Sequence, residues 1–180
     1  MKIAYLVGSL AADSINRALS EALVELAPEG VELIEAPIKD LPLFNRDLES
    51  DFPPAAAKLK EILSEADGVI FVSPEHNRSY TPAMHNAVDW SSRPAGNWTL
   101  SGKPIATIGA SQSSVATALG QKMLRSSLDF FNPKIMGQPE GYISAKASGL
   151  LDDRKVTDEG TRAFLQRWLD AFVEFVKENS

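Results

Sequence analysis

The chain contains no cysteine, which removes disulfides, thiol nucleophiles and thiolate metal ligands together and fits a reducing compartment. Redox chemistry in such a chain has to run on a bound cofactor. Histidine is almost as scarce: His76 and His85 are the only two. No Ser/His/Asp arrangement can be assembled convincingly from so few, and the G-x-S-x-G elbow is missing, so a hydrolase is disfavoured. Basic runs are absent and the net charge is -6, which argues against nucleic acid and anionic membranes as partners. No apolar stretch approaches the length of a bilayer span, so membrane insertion is not expected. The segment from Met1 to Gly8 is too short an apolar run for a signal peptide and lacks a cleavage region. These absences together predict a cytoplasmic protein. The 180 residues suffice for a substantial core, and a single domain over 1–180 is expected.

What is present alternates. Ile3 to Val7 reads as a strand ended by Gly8-Ser9, and Leu19, Leu23, Val24 and Leu26 recur at helical spacing until Pro28 and Gly30. Val31 to Ile34 reads as a second strand, followed by an aperiodic connection from Pro37 to Asp51. Pro53 and Pro54 open a helix carrying Leu59, Ile62 and Leu63 on one face. The most informative stretch is Gly68 to Trp90. Val69, Ile70, Phe71 and Val72 form an unbroken apolar run, the pattern of a strand buried on both faces. Thr81-Pro82 then marks an N-cap with proline at the first helical position. A strand from Pro104 to Ile108, a polar loop from Gly109 to Ser114 and a helix bearing Leu119, Met123, Leu124 and Leu128 follow. A fifth strand, weakened by Pro139 and Gly141, is expected within Lys134 to Ile143. Asp152 to Lys155 reads as a solvated turn, and from Thr157 the spacing of Phe164, Leu165, Trp168, Leu169, Phe172, Val173 and Val176 predicts a terminal amphipathic helix.

This alternation specifies an α/β fold, a five-stranded parallel sheet with helices on both faces, and the doubly wound order 2-1-3-4-5 follows from right-handed crossovers. That order sets the loops after strands one and three side by side at the topological switch, where ligands bind. The first loop, Gly8 to Asn16, lacks both G-x-x-x-x-G-K-[ST] and G-x-G-x-x-G. It can still hold a phosphate on helix N-terminal N–H groups, with Ser9, Ser14 and Asn16 as further donors. Equally, Asp13 or Ser14 can be a plain N-cap. The second loop, Ser73 to Tyr80, offers backbone amides suited to the edge of a planar heterocycle. Its Pro74, Glu75, His76 and Asn77 can also be ordinary turn residues. Trp90, at helical spacing, is expected in the core. Phe44 and Trp98, in irregular segments, are expected at the pocket rim.

Several blocks in order, Gly8-Ser9-(x)4-Ser14-x-Asn16, Leu41-Pro42-Leu43-Phe44-Asn45-x-Asp47-Leu48, Pro74-Glu75-His76-Asn77-Arg78-Ser79, Asn86-Ala87-Val88-Asp89-Trp90, Arg93-Pro94 and Gly109-Ala110-Ser111, resemble the NADPH-dependent FMN reductase family. That family includes chromate, quinone and azo-dye reductases of flavodoxin-like fold. The resemblance implies a three-layer flavodoxin-like sandwich and bound FMN. The phosphate would lie among Ser9, Leu10, Asp13, Ser14, Ile15 and Asn16, the isoalloxazine ring along Pro74, Glu75, His76, Asn77 and Ser79, and Ser111 near the other edge. It also implies NADPH or NADH as electron donor, a small-molecule acceptor such as a quinone, and a homodimer or homotetramer in which a partner chain helps cover the flavin. No catalytic acid or base and no metal ligand is named, because the flavin carries the hard step. Arg78 is left between a cofactor phosphate and a surface carboxylate.

The sequence departs from the family pattern at Ala11-Ala12-Asp13, where many members carry an arginine, and this predicts weaker FMN binding. His76 stands where tyrosine is usual, and Gln112-Ser113-Ser114 replaces a more glycine-rich turn. Two further readings of the same fold are a flavodoxin-like electron carrier served by a protein partner, and a regulatory relative that has lost the cofactor.

Overall fold

Along β1 (Lys2–Val7) the side chains of Ile3 and Val7 point to one face and those of Ala4 and Leu6 to the other, and all four are buried. Such a strand needs a covering layer on each side. The computed structural model, which describes residues 1–179, supplies both layers. The chain continues as α1 (Ile15–Glu25), β2 (Glu32–Glu35), α2 (Pro54–Glu65), β3 (Gly68–Val72), α3 (Pro82–Ser91), β4 (Pro104–Ser111), α4 (Ala118–Leu128), β5 (Lys134–Ile135), β6 (Gly141–Ser144) and α5 (Glu159–Asn179). The strands run parallel in the order β2-β1-β3-β4-β5, with β6 also on β4. This is the expected doubly wound order.

On one face Ile3, Val7, Ile70, Val72 and Ile108 pack with Leu19 and Leu23 of α1 and with Trp168 and Phe172 of α5. On the other, Leu6, Val69, Phe71 and Ile105 pack with Leu59 and Leu63 of α2, Met84 and Trp90 of α3, and Leu124 of α4. The central strand β3 is buried at every position, as its unbroken apolar run predicts.

Two elements differ from expectation. The fifth strand is split in two, because Gly137 to Glu140 interrupts it around a cis Gln138–Pro139 bond and proline has no N–H to give a ladder. β4 runs on to Ser111, so Gly109, Ala110 and Ser111 are strand rather than loop. Their ladder partners come from β6, in the register Gly109↔Tyr142, Ala110↔Ile143 and Ser111↔Ser144. In the long connection after β2, Arg46–Glu49 forms one 3-10 turn capped by Asn45.

The aromatic residues expected at a pocket rim are elsewhere. Phe44 lies edge-on to Trp90 at 5.2 Å with the Arg93 guanidinium over its ring at 4.5 Å, and its N–H donates to Asn86 Oδ1. Asn86 Nδ2 and Trp90 Nε1 both donate to the Pro42 carbonyl, so α3 pins the Leu41–Phe44 segment onto the second core. Trp98 packs against Phe130, with ring centroids 4.9 Å apart and the planes tilted by 51°. Trp90 is fully buried, as its spacing predicts.

Candidate functional site

The carboxyl ends of β1, β3 and β4 meet at the expected switch point, and the loops that leave them are joined by a few short bonds. Gly8 N–H donates to the Val72 carbonyl at 2.9 Å. Thr81 caps α3 by accepting from Met84 N–H, and its hydroxyl donates to the Gly8 carbonyl at 2.6 Å. A Cβ on Gly8 would stand 3.1 Å from both Pro74 Cδ and Thr81 Oγ1. Glycine is therefore what lets the first loop lie against the second.

The first loop turns into α1 at Ser14, whose Oγ accepts from Asn16 N–H at 3.2 Å and Arg17 N–H at 3.4 Å. This is the N-cap role that serine favours. The Ile15 N–H at the first helical position has no intrahelical acceptor and faces the space ahead of the helix. Asn16, almost fully buried, points inward: Nδ2 donates to the Ala110 carbonyl at 2.9 Å while Oδ1 accepts from Ala110 N–H at 2.8 Å. The Ile108 carbonyl, one ladder step earlier, is taken by Ser73 N–H. Beyond the end of β3, the Asn16 amide thus continues the ladder that β4 would otherwise lose.

In the second loop His76 and Ser79 exchange backbone hydrogen bonds of 2.8 and 2.9 Å across Asn77 and Arg78, which both have positive φ, 50° and 67°. Positive φ at both central residues is the signature of a tight I′-type turn. Glu75 secures this turn from below. Its side chain is only 6% exposed, Oε2 accepts from Gly120 N–H at 2.9 Å and Oε1 from Arg78 Nη1 at 3.2 Å. Gly120 lies in the first turn of α4, whose N-cap Thr117 makes no capping bond of its own, so Glu75 caps that helix from another loop and meets the positive end of its dipole. A Cβ on Gly120 would crowd Ser79 O at 3.0 Å and Glu75 Cγ at 3.2 Å.

Between the loops opens a cleft of about 440 Å³ lined by Ser9, Asp13, Ser14, Ile15, Asn16, Pro74, Glu75, His76 and Ser111, together with Ala110, Gln112, Leu151 and Arg154. The structure thus gathers into one place most of the residues singled out from sequence. Leu10 instead faces an adjacent groove with Ala11, Ala12 and Arg17. Asn77 and Ser79 belong to the tight turn, outside the lining. Arg78 Nη1 pairs with Glu75 Oε1 at 3.2 Å. Leu151 and Arg154 carried no local signal. Arg154 lay in a segment read as a solvated turn, yet its Nη2 reaches Asp13 Oδ2 at 3.1 Å across 141 residues of sequence.

The cleft is polar at the α1 end, carries backbone groups and Pro74 at the other, and among the described residues no cluster of His, Cys, Asp or Glu suits a metal ion. Among the described residues, no helix is long and apolar enough to cross a membrane.

Comparison with known proteins bears on the same features. A quinone reductase of Pseudomonas putida is 42% identical over 178 residues, covering 98% of this chain and 95% of that protein. A 2-hydroxy-1,4-benzoquinone reductase of a Burkholderia species is 39% identical, covering 99% and 97%. Among solved structures, the flavoenzyme NAD(P)H:(acceptor) oxidoreductase FerB of Paracoccus denitrificans superposes with a TM-score of 0.91 at 39% identity, covering 99% of this chain and 98% of its own. Residues 1–148, which carry both site loops and all six strands, match the sequence model of one family over that whole span, and the chain belongs to it: the NADPH-dependent FMN reductases.

Proposed function

We propose that the protein is an FMN-dependent NAD(P)H oxidoreductase that passes reducing equivalents to quinones or comparable small acceptors, chromate and azo compounds included. The observation that carries this reading is the cleft itself: a helix N-terminus, a rigid backbone turn and a polar strand end converge on a space of about 440 Å³, within the range of about 300–1,000 Å³ usual for cofactor sites. The donor set fits FMN. At the α1 end, the Ile15 N–H, the dipole of α1 and the Ser9 and Ser14 hydroxyls suit a phosphate monoester. At the other, Pro74 offers an apolar surface and the backbone of Glu75 offers polar groups to a heterocycle edge, while the backbone N–H and carbonyl of His76 are engaged by Ser79.

The chemistry FMN supplies when bound is hydride acceptance from NAD(P)H and delivery of electrons to the acceptor. The chain's own residues bind and orient. Thr81 and Gly8 hold the two loops at fixed separation, Asn16 fixes the start of α1 to β4, and Glu75 sets the height of the His76–Ser79 turn against α4. None of these residues is required to move a proton. The whole chain, 1–180, serves as one FMN-binding domain. Leu10, Asn77 and Ser79, assigned to the cofactor from sequence, stand next to the lining and would touch it at its margin. The protein is placed in the cytoplasm on its cysteine-free composition. It is assigned as a homodimer or homotetramer on the exposed Val115, Leu119, Met123 and Phe130 in and beside α4, an apolar group of the kind that covers itself by association.

Titration of the purified protein with FMN, followed by quenching of flavin fluorescence, tests the reading. Saturable quenching, and bleaching of the oxidised-flavin absorbance on anaerobic addition of NADPH, are expected. Absence of quenching refutes it, whereas quenching without bleaching identifies an electron carrier that is reduced by another protein.

A further inference from the structure

A phosphate monoester brings a charge of about -1.5 to -2 at neutral pH, and the loop at the α1 N-terminus meets it with no cation and with the carboxylate of Asp13. Of the nearby arginines, Arg17 is engaged by Glu35 through two bonds of 3.0 and 3.1 Å. Arg78 is held by Glu75. Among the described residues that line the cleft, Arg154 is the one cationic side chain. It does not hang there on a loose loop. After β6 the chain is tied back by Ser148 N–H to Ser144 O, Leu151 N–H to Ala145 O, Asp153 N–H to Gly149 O and Thr157 N–H to Ser148 O, with Leu150 fully buried. The guanidinium then projects to the α1 end of the cleft, where it pairs with Asp13 beside Ser14.

We infer that Arg154 is the cation that binds the phosphate end of the cofactor, and that Asp13 holds its guanidinium at the mouth of the cleft until the phosphate displaces it. The inference rests on the FMN reading above and adds to it a residue from beyond the span of the family match. The exchange is energetically easy. The side chains of Arg154 and Asp13 are 46% and 82% exposed, and exposed ion pairs contribute little. A phosphate offers a guanidinium more oxygens and more charge than a carboxylate, and can accept from it bidentately. Asp13 thus has a double effect, since it keeps Arg154 in place and competes with the incoming anion.

The test compares FMN with riboflavin, which has the same ring and no phosphate, in fluorescence-quenching titrations of the wild type, Arg154→Gln, Arg154→Lys and Asp13→Asn. Loss of one charge-assisted contact predicts FMN affinity about tenfold to a hundredfold weaker in Arg154→Gln, with riboflavin affinity unchanged. Arg154→Lys should recover part of the loss, and Asp13→Asn should bind FMN more tightly than the wild type. The dependence of FMN affinity on salt should be shallower in Arg154→Gln, which keeps the test decisive where riboflavin binds too weakly to titrate. Equal losses for both flavins would show a structural effect and overturn the inference, as would an Arg154→Gln variant with wild-type FMN affinity and salt dependence. A wild type that binds no FMN removes the functional reading and the inference with it; a wild type that binds FMN leaves the variants to decide the inference alone.

Discussion

Replacing Asn16 by alanine separates a structural role from a ligand role at a residue whose type suits both. In the structure the side-chain amide makes two hydrogen bonds with the backbone of Ala110, of 2.9 and 2.8 Å, in a buried setting. Removing the amide does more than delete two bonds of about 0.5–1.5 kcal/mol net each, because it strands the Ala110 N–H and carbonyl at about 1–3 kcal/mol apiece. Partial rescue by water lowers the sum, so Asn16→Ala should cost roughly 2–5 kcal/mol. With a urea dependence of about 2 kcal/mol per molar, the unfolding midpoint should fall by about 1–2.5 M. The assay is urea denaturation followed by circular dichroism on protein freed of flavin, so that ligand linkage does not enter. Asn16→Asp should be destabilised as well, since the Ala110 N–H keeps an acceptor while the Ala110 carbonyl then faces a carboxylate oxygen. A change below about 0.5 kcal/mol in the flavin-free protein, joined to a large loss of FMN affinity, would refute the reasoning and return the side chain to the cofactor.

Other substitutions probe how the loops are joined. Gly109→Ala should destabilise by at least the roughly 1–3 kcal/mol usual for overpacking, since its Cβ would press into the Ser73 carbonyl and lie 2.7 Å from Thr117 Oγ1; a thermal scan showing an unchanged midpoint would contradict this. Thr81→Val removes the α3 cap and leaves the Gly8 carbonyl without its donor, and about 2–4 kcal/mol should be lost in chemical denaturation. Burial, reinforced by Glu35, raises the Tyr5 phenol above its ordinary value of 10.0. A group whose pKa is higher folded than unfolded contributes stability below about pH 10 and loses it as pH rises through the folded value. Tyr5→Phe should accordingly flatten the alkaline limb of the stability profile above pH 10, and an identical limb in both proteins would show that Tyr5 does not contribute.

The parts of the fold legible in the sequence are those set by local patterns. The unbroken Val69–Val72 run has the pattern of a strand covered on both faces, and Thr81-Pro82 the pattern of a helix start, so the β3–α3 junction and the site beside it were legible. The end of β4 was not legible in that way. Gly109, Ala110 and Ser111 have the composition of a loop and become strand only because β6 arrives beside them from Gly141–Ser144. Phe44 misled for a similar reason. An aromatic in an irregular segment suits a pocket rim, but Asn86 and Trp90 hold the preceding Pro42 carbonyl and turn the ring onto the core.

The same distinction governs the site. Asn16 and Glu75 have the residue types that ligand binding uses, and both lie in the right loops, yet their functional groups are directed into the protein: Asn16 to Ala110 and Glu75 to Gly120. Thr81 likewise joins α3 to Gly8. Each partner lies at least 45 residues away in sequence, so no local pattern could assign the bond. Their common effect is to fix three loops to one another before any ligand arrives, which lowers the ordering cost of binding. The groups left facing the cleft are then mostly backbone N–H groups, hydroxyls and one arginine. A site made this way keeps its loops joined whatever side chains stand at Ala11 and Ala12, because the side-chain bonds that join them are made by Asn16, Glu75 and Thr81, whereas Asp13 is tied to the site through Arg154.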